Sequence, residues 1–203
     1  MVLAAVTALR MMTAKSLTKR RHRRHLDHIA SELGQGPSTS RDWPYIVPVT
    51  VGDRAFQIRY DVRMSTRHTS YRGPTGQLLI TATQLGGTRW AMHQVDIQPV
   101  AKWLSRLIGN RLATGDPAFD ARFIIRQDGL PAREGWLDGA TREALGHFFE
   151  RVPKPGVVWI REGDLQFIMS QPWTDLDGPA VRRLMEQQSL LADALERTAG
   201  YVR

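Results

Sequence analysis

The chain has 203 residues, a formal charge of +8 and no cysteine. That length supports one sizeable core and leaves little room for a second full domain. The absence of cysteine excludes disulfides, Cys-based zinc sites and thiol catalysis, and a hydrophobic content of 42% excludes a wholly disordered chain.

The charge is unevenly placed. Residues 1–30 hold Arg10, Lys15, Lys19, Arg20, Arg21, Arg23 and Arg24 against the single acid Asp27, so +6 of the +8 lies there. A body so close to neutral does not carry the whole-domain positive footprint of a nucleic-acid-binding protein. Residues 2–9, VLAAVTAL, are too short to span a bilayer, and the basic cluster follows the apolar run where a signal peptide would have it precede. The run reads equally well as the end of a longer hydrophobic segment. Basic residues just after an apolar stretch suit a cytoplasmic membrane flank, so the expected location is the cytoplasm or the cytoplasmic face of a membrane.

Met11 to Leu33 contains neither Pro nor Gly. Leu17, Arg20, Arg21, Arg24 and His28 fall along one helical face, while Met11, Lys15, Leu26, Ile29 and Leu33 look too dispersed for an apolar stripe. The expectation is a helix with a mostly polar surface, set apart from the body. Its cations Lys15, Lys19, Arg20, Arg21, Arg23 and Arg24 are the candidate contacts to an anionic surface, since they suit lipid or nucleic-acid phosphates alike. His22, His25 and His28 recur every three residues, but the adjacent arginines oppose a bound cation, and solvated histidines are the preferred reading. Residues 34–44, GQGPSTSRDWP, read as a linker. The expected organisation is therefore a basic segment over 1–33, a linker over 34–44 and a domain over 45–203.

Within the domain, residues 45–51 read as a strand in which Pro48 argues for an edge position or a break. Gly52-Asp53 turns the chain. Phe56, Ile58, Tyr60, Val62 and Met64 then alternate with Gln57, Arg59, Asp61 and Arg63, the pattern of a half-buried antiparallel strand. Residues 77–85 and 88–95 flank Gly86-Gly87, which predicts a tight hairpin between them. Pro99 opens a predicted helix carrying Val100, Trp103, Leu104, Leu107 and Ile108. A strand is expected from Ala121 to Arg126. Asp138 caps a predicted helix whose stripe is Ala144, Leu145, Phe148 and Val152. Residues 156–161 and 165–169 form a second hairpin turning near Gly163. A final helix runs from Gly178 to about Thr198, with Val181, Leu184, Met185, Gln188, Leu191 and Leu195 as its stripe. Leu190 and Ala194 widen that stripe enough to permit pairing with a second copy, but the short strands need a cover, which favours packing within a monomer. Hairpins without a regular βαβ series predict an α+β fold: antiparallel β hairpins with covering helices in a single compact domain.

The segment GDPAFDARFIIR, with its F-D-x-x-F pattern at Phe119, Asp120 and Phe123, is followed by Trp136-Leu137-Asp138, an amphipathic helix and VVWIREGDLQFIM. Over residues 115–169 this order resembles a group of uncharacterised bacterial proteins that often carry hydrophobic anchoring helices before the soluble domain. The resemblance implies membrane association and brings no catalytic residues. This chain departs from the pattern in having no membrane-length run before its domain.

No phosphate loop, dinucleotide fingerprint, nucleophile elbow or zincin motif occurs. Asp116, Asp120, Asp128, Asp175 and Asp177 read as turn or helix-start residues before catalytic acids. His68, His93 and His147 are isolated in sequence. Arg54, Arg59, Arg63, Arg67 and Arg72, with Tyr71 and Trp90, offer a weak nucleic-acid set against the simpler reading of a solvated strand face. No catalytic, cofactor-binding or metal-ligating residue is assigned. The expectation is a noncatalytic structural or interaction domain, associated with an anionic membrane surface or a protein partner. A nucleic-acid-binding module using the basic arm and an enzyme with a dispersed active site are the alternatives.

Overall fold

The computed structural model describes residues 20–36, 45–62, 77–86, 94–99, 113–128, 137–153, 156–169 and 175–198. Its elements are α1 (20–32), β1 (Ile46–Val51), β2 (Arg54–Val62), β3 (Gln77–Gln84), β4 (Gln94–Pro99), α2 (Pro117–Arg122), β5 (Phe123–Asp128), α3 (Gly139–Arg151), β6 (Gly156–Arg161), β7 (Asp164–Met169) and α4 (Gly178–Thr198). The strands form one seven-stranded sheet in the order β1-β2-β3-β7-β6-β4-β5, and every pairing is antiparallel. The fold is α+β.

Alternation along each strand builds a single core face. Val47 and Val49 oppose Ile58 and Phe56, Ile58 opposes Thr81, Thr81 opposes Phe167, and Phe167 opposes Val158. All of these are buried. Helices α1, α3 and α4 cover this face. The α4 stripe predicted from spacing is buried throughout, from Val181 to Leu195. Phe148 of α3 meets Phe167 edge-on at 5.1 Å. Ile80, Ile124 and Ile168 are buried on the other face of the sheet, outside the main cluster. There the Arg161 guanidinium lies 3.6 Å over the Trp159 ring.

Gln188, the polar break in the α4 stripe, is fully buried and satisfied. Its amide donates to the carbonyls of Thr81 at 3.1 Å and Leu165 at 2.7 Å, and its oxygen accepts from the Thr81 hydroxyl at 2.7 Å. It pins α4 over the β3–β7 pair, since leaving a buried amide unpaired costs more than the bonds return. The β6–β7 hairpin turns at Glu162 and Gly163, both with positive φ, as a two-residue turn requires. Pro48 sits in β1, which is an edge strand.

Several sequence expectations need correction. Gly86-Gly87 does not join two paired strands. β3 pairs with β2 and β7, and β4 pairs with β6 and β5, so two strands separate them. Pro99 is the last residue of β4 and pairs with Phe123, so it is a strand residue. The predicted strand from Ala121 starts at Phe123 instead, because Asp116 and Pro117 begin a short helix that keeps Ala121 and Arg122. The expected helix from Val100 to Ile108, with Trp103, lies outside the described residues.

The N-terminal segment departs most from expectation. Leu26, Ile29, Ala30 and Leu33 are buried in the same core cluster as the sheet. The expected separate helix with a mostly polar surface is instead, over its described residues, a layer of the domain. His22, Leu26, Ile29 and Leu33 follow helical spacing, and including Met11 and Lys15 in the same set obscured the stripe.

Candidate anionic-surface site

Helix α1 divides cleanly into two faces. At about 100° per residue, Arg20, Arg21, Arg24 and His28 fall on one arc, opposite the arc holding His22, Leu26, Ile29 and Leu33. The first four are exposed and the second four are buried. Arg23 lies between them, half-buried. Its guanidinium is 5.3 Å from the Tyr45 ring centre and 3.8 Å from the Asp27 carboxylate. Of the six candidate cations, Arg20, Arg21 and Arg24 therefore present charge outward, Arg23 is drawn against the body, and Lys15 and Lys19 lie outside the described residues.

The helix is held at both ends. Toward its start, the His22 ring stacks on Tyr60 at 4.7 Å and 19°. Burial, reinforced by Arg21 and His25, pushes the His22 imidazole down to about 4, so it is neutral at pH 7. His22 is thus a core residue, and neither the metal reading nor the solvated one describes it. At the other end Gly34 takes φ +74°. Gly34 N–H donates to Ser31 O at 3.0 Å and Gln35 N–H to Ala30 O at 2.8 Å, the two bonds of a Schellman cap. Gly34, first read as the opening of a linker, terminates α1.

Glu32 reaches the start of α4. Its carboxylate accepts from the Gly178 N–H at 2.5 Å, while Asp177 accepts from Ala180 N–H at 2.8 Å. Two carboxylates thus occupy the positive end of the α4 dipole. A Cβ on Gly178 would lie 2.5 Å from Glu32 Cβ, so glycine permits this approach. Arg182 donates to Leu33 O at 3.4 Å, capping the C-terminal end of α1 from outside.

The other singled-out residues have structural partners. Asp116 accepts from Ala118 and Phe119 N–H at the start of α2, and meets Arg142 at 3.2 Å. The Phe119 N–H, then Ala118 and Arg142, hold its carboxyl below the usual range. Asp120 accepts from the Thr114 hydroxyl at 2.8 Å. Asp138 caps α3 through Thr141 N–H at 2.7 Å. His147 lies 3.5 Å from Glu143 and 3.8 Å from Glu150. Arg54, grouped above with possible phosphate contacts, is buried and engaged by Glu196 and Asp193. Arg59 is half-buried on the other sheet face. Arg63, Arg67, Arg72, Tyr71, Trp90, His68 and His93 lie outside the described residues. Among the described residues no group of three or more His, Asp or Glu is arranged to hold a metal ion, and no helix is long and apolar enough to cross a membrane.

No family model matches the chain, and neither does any curated protein.

Proposed function

We propose that this domain is a noncatalytic interaction module that meets an anionic membrane surface through the outer face of α1. One observation carries the reading: α1 buries its apolar face in the domain core, and this holds Arg20, Arg21 and Arg24 outward on a rigid support. An amphipathic helix that inserts into lipid needs a free apolar face. Here that face is already used, so the contact is peripheral and electrostatic. Each basic side chain near an anionic leaflet contributes about 1 kcal/mol, falling off within a Debye length.

The test is flotation of the intact chain with vesicles of phosphatidylcholine alone and with added phosphatidylserine, at low and high salt. Binding only to the anionic vesicles, weakened by salt, supports the reading. Equal partition onto both vesicle types overturns it. Single-stranded DNA of matched charge forms a third arm. Tighter binding to DNA than to anionic vesicles would favour the nucleic-acid alternative, which uses the same arginines.

A further inference from the structure

The three outward arginines of α1 are not equivalent. Arg24 follows Arg21 by three residues and Arg20 by four, so it is a lateral neighbour of both, with about 5–6 Å between Cβ atoms. Arg20 and Arg21 are adjacent in sequence and diverge by about 100° around the helix. Arg24 is therefore the shared member of two guanidinium pairs, Arg20–Arg24 and Arg21–Arg24. All three side chains are exposed, and none of them makes an ion pair or hydrogen bond among the described residues. The acids of the helix are engaged elsewhere. Asp27 faces Arg23 at 3.8 Å, and Glu32 accepts from the Gly178 N–H and lies 3.4 Å from His28. Like charges at these spacings repel, and an anion seated between them relieves the repulsion.

Such a pair favours one kind of anion. A guanidinium binds phosphate through two parallel N–H groups. A phosphomonoester carries three terminal oxygens and about −1.5 to −2 charges at pH 7, enough to accept from two guanidinia at once. A phosphodiester has fewer free oxygens and a single charge. The apolar face of α1 is buried in the core, so hydrophobic insertion adds nothing, and discrimination among anionic lipids falls to the headgroup contacts. Resting on the peripheral-membrane reading above, we propose that α1 selects lipids with a phosphomonoester headgroup over phosphodiester lipids of equal surface charge. Arg24 joins Arg20 or Arg21 to clamp one headgroup.

Flotation of the full chain with phosphatidylcholine vesicles containing either phosphatidic acid or phosphatidylglycerol, matched for surface charge by electrophoretic mobility, tests this. The expected result is about tenfold tighter binding to the phosphatidic acid vesicles, the equivalent of one further charge-assisted hydrogen bond. Arg24→Gln should reduce that preference to about twofold or less, whereas Arg20→Gln should keep most of it, because the Arg21–Arg24 pair remains. Each variant loses one exposed charge, so a diffuse electrostatic surface predicts equal effects. Far-ultraviolet circular dichroism confirms that both are folded. Glycerol 3-phosphate at fixed ionic strength is the soluble counterpart of the headgroup, and it should bind more weakly than the phosphatidic acid vesicles. Tighter binding of glycerol 3-phosphate overturns the lipid as the occupant. Equal affinity for the two matched vesicle types overturns the inference and leaves the peripheral-membrane reading standing, while binding to neither overturns both. A preference that Arg20→Gln and Arg24→Gln lower equally overturns the clamp.

Discussion

Arg54, at the first position of β2, and Glu196, in the last turn of α4, face each other through two parallel hydrogen bonds of 2.9 Å. Both side chains are buried. Glu196 also accepts from Gly86 N–H at 2.7 Å, and Arg54 donates to Asp193 at 2.5 Å and to Gln84 O at 3.3 Å. The pair ties the far end of α4 to the β1–β2 turn and the end of β3.

Breaking that pair leaves a buried charge without its main partner, held by Asp193 on the Arg54 side or by the Gly86 N–H on the Glu196 side. Arg54→Ala and Glu196→Ala should each destabilise the domain by about 3–5 kcal/mol, while the double variant should cost less than the two losses added. Urea unfolding of the three variants checks this. A loss under about 1 kcal/mol for both single variants would mean that water reaches the pair.

The place of α1 in the core sets a second expectation. Leu26→Ala should cost about 2–5 kcal/mol, as for any buried leucine. Deleting residues 1–35 should cost more, because it removes Leu26, Ile29 and Leu33 together and takes Glu32 from the start of α4. Chemical unfolding of the deleted form beside the parent is the measurement. A deletion that left the midpoint unchanged would show α1 to be dispensable to the domain.

His22 gives the stability a distinct pH dependence. Its folded value of about 4 lies below the ordinary 6.5, so the unfolded chain takes up a proton first. The contribution is complete above about pH 6.5 and is lost as pH falls toward 4, with a total on the order of 3 kcal/mol. This window lies above that of Asp116, whose lowered carboxyl acts only at more acidic pH. His22→Phe keeps a ring beside Tyr60 and should flatten the profile between pH 6.5 and 4. Urea midpoints across that range test it, and parallel profiles for variant and parent would contradict the assignment.

What the sequence revealed depended on how far apart the partners lie. The α4 stripe, the Asp138 cap and the β6–β7 hairpin are local, and spacing or a single turn identified them. The position of β4 was hidden because its partners are β6 and β5, far along the chain, while Gly86-Gly87 imitated a hairpin signal. Gly86 instead gives its N–H to Glu196, 110 residues away. Arg54 stands on the apolar parity of β2, two positions before Phe56, which marks it as unusual, yet nothing near it in sequence names Glu196 as its partner. The candidate cations were visible as a cluster. Their division into exposed Arg20, Arg21 and Arg24 and a half-buried Arg23 was not, since it depends on Tyr45 and on the burial of His22 against Tyr60.

The most direct test of the anionic-surface role is vesicle binding by a variant carrying Arg20→Gln, Arg21→Gln and Arg24→Gln together. These side chains are exposed, so its unfolding midpoint should match the parent's. Its affinity for phosphatidylserine-containing vesicles should fall by about 100-fold at low salt, given roughly 1 kcal/mol per lost charge. A folded variant that binds those vesicles as tightly as the parent would contradict the role assigned to α1.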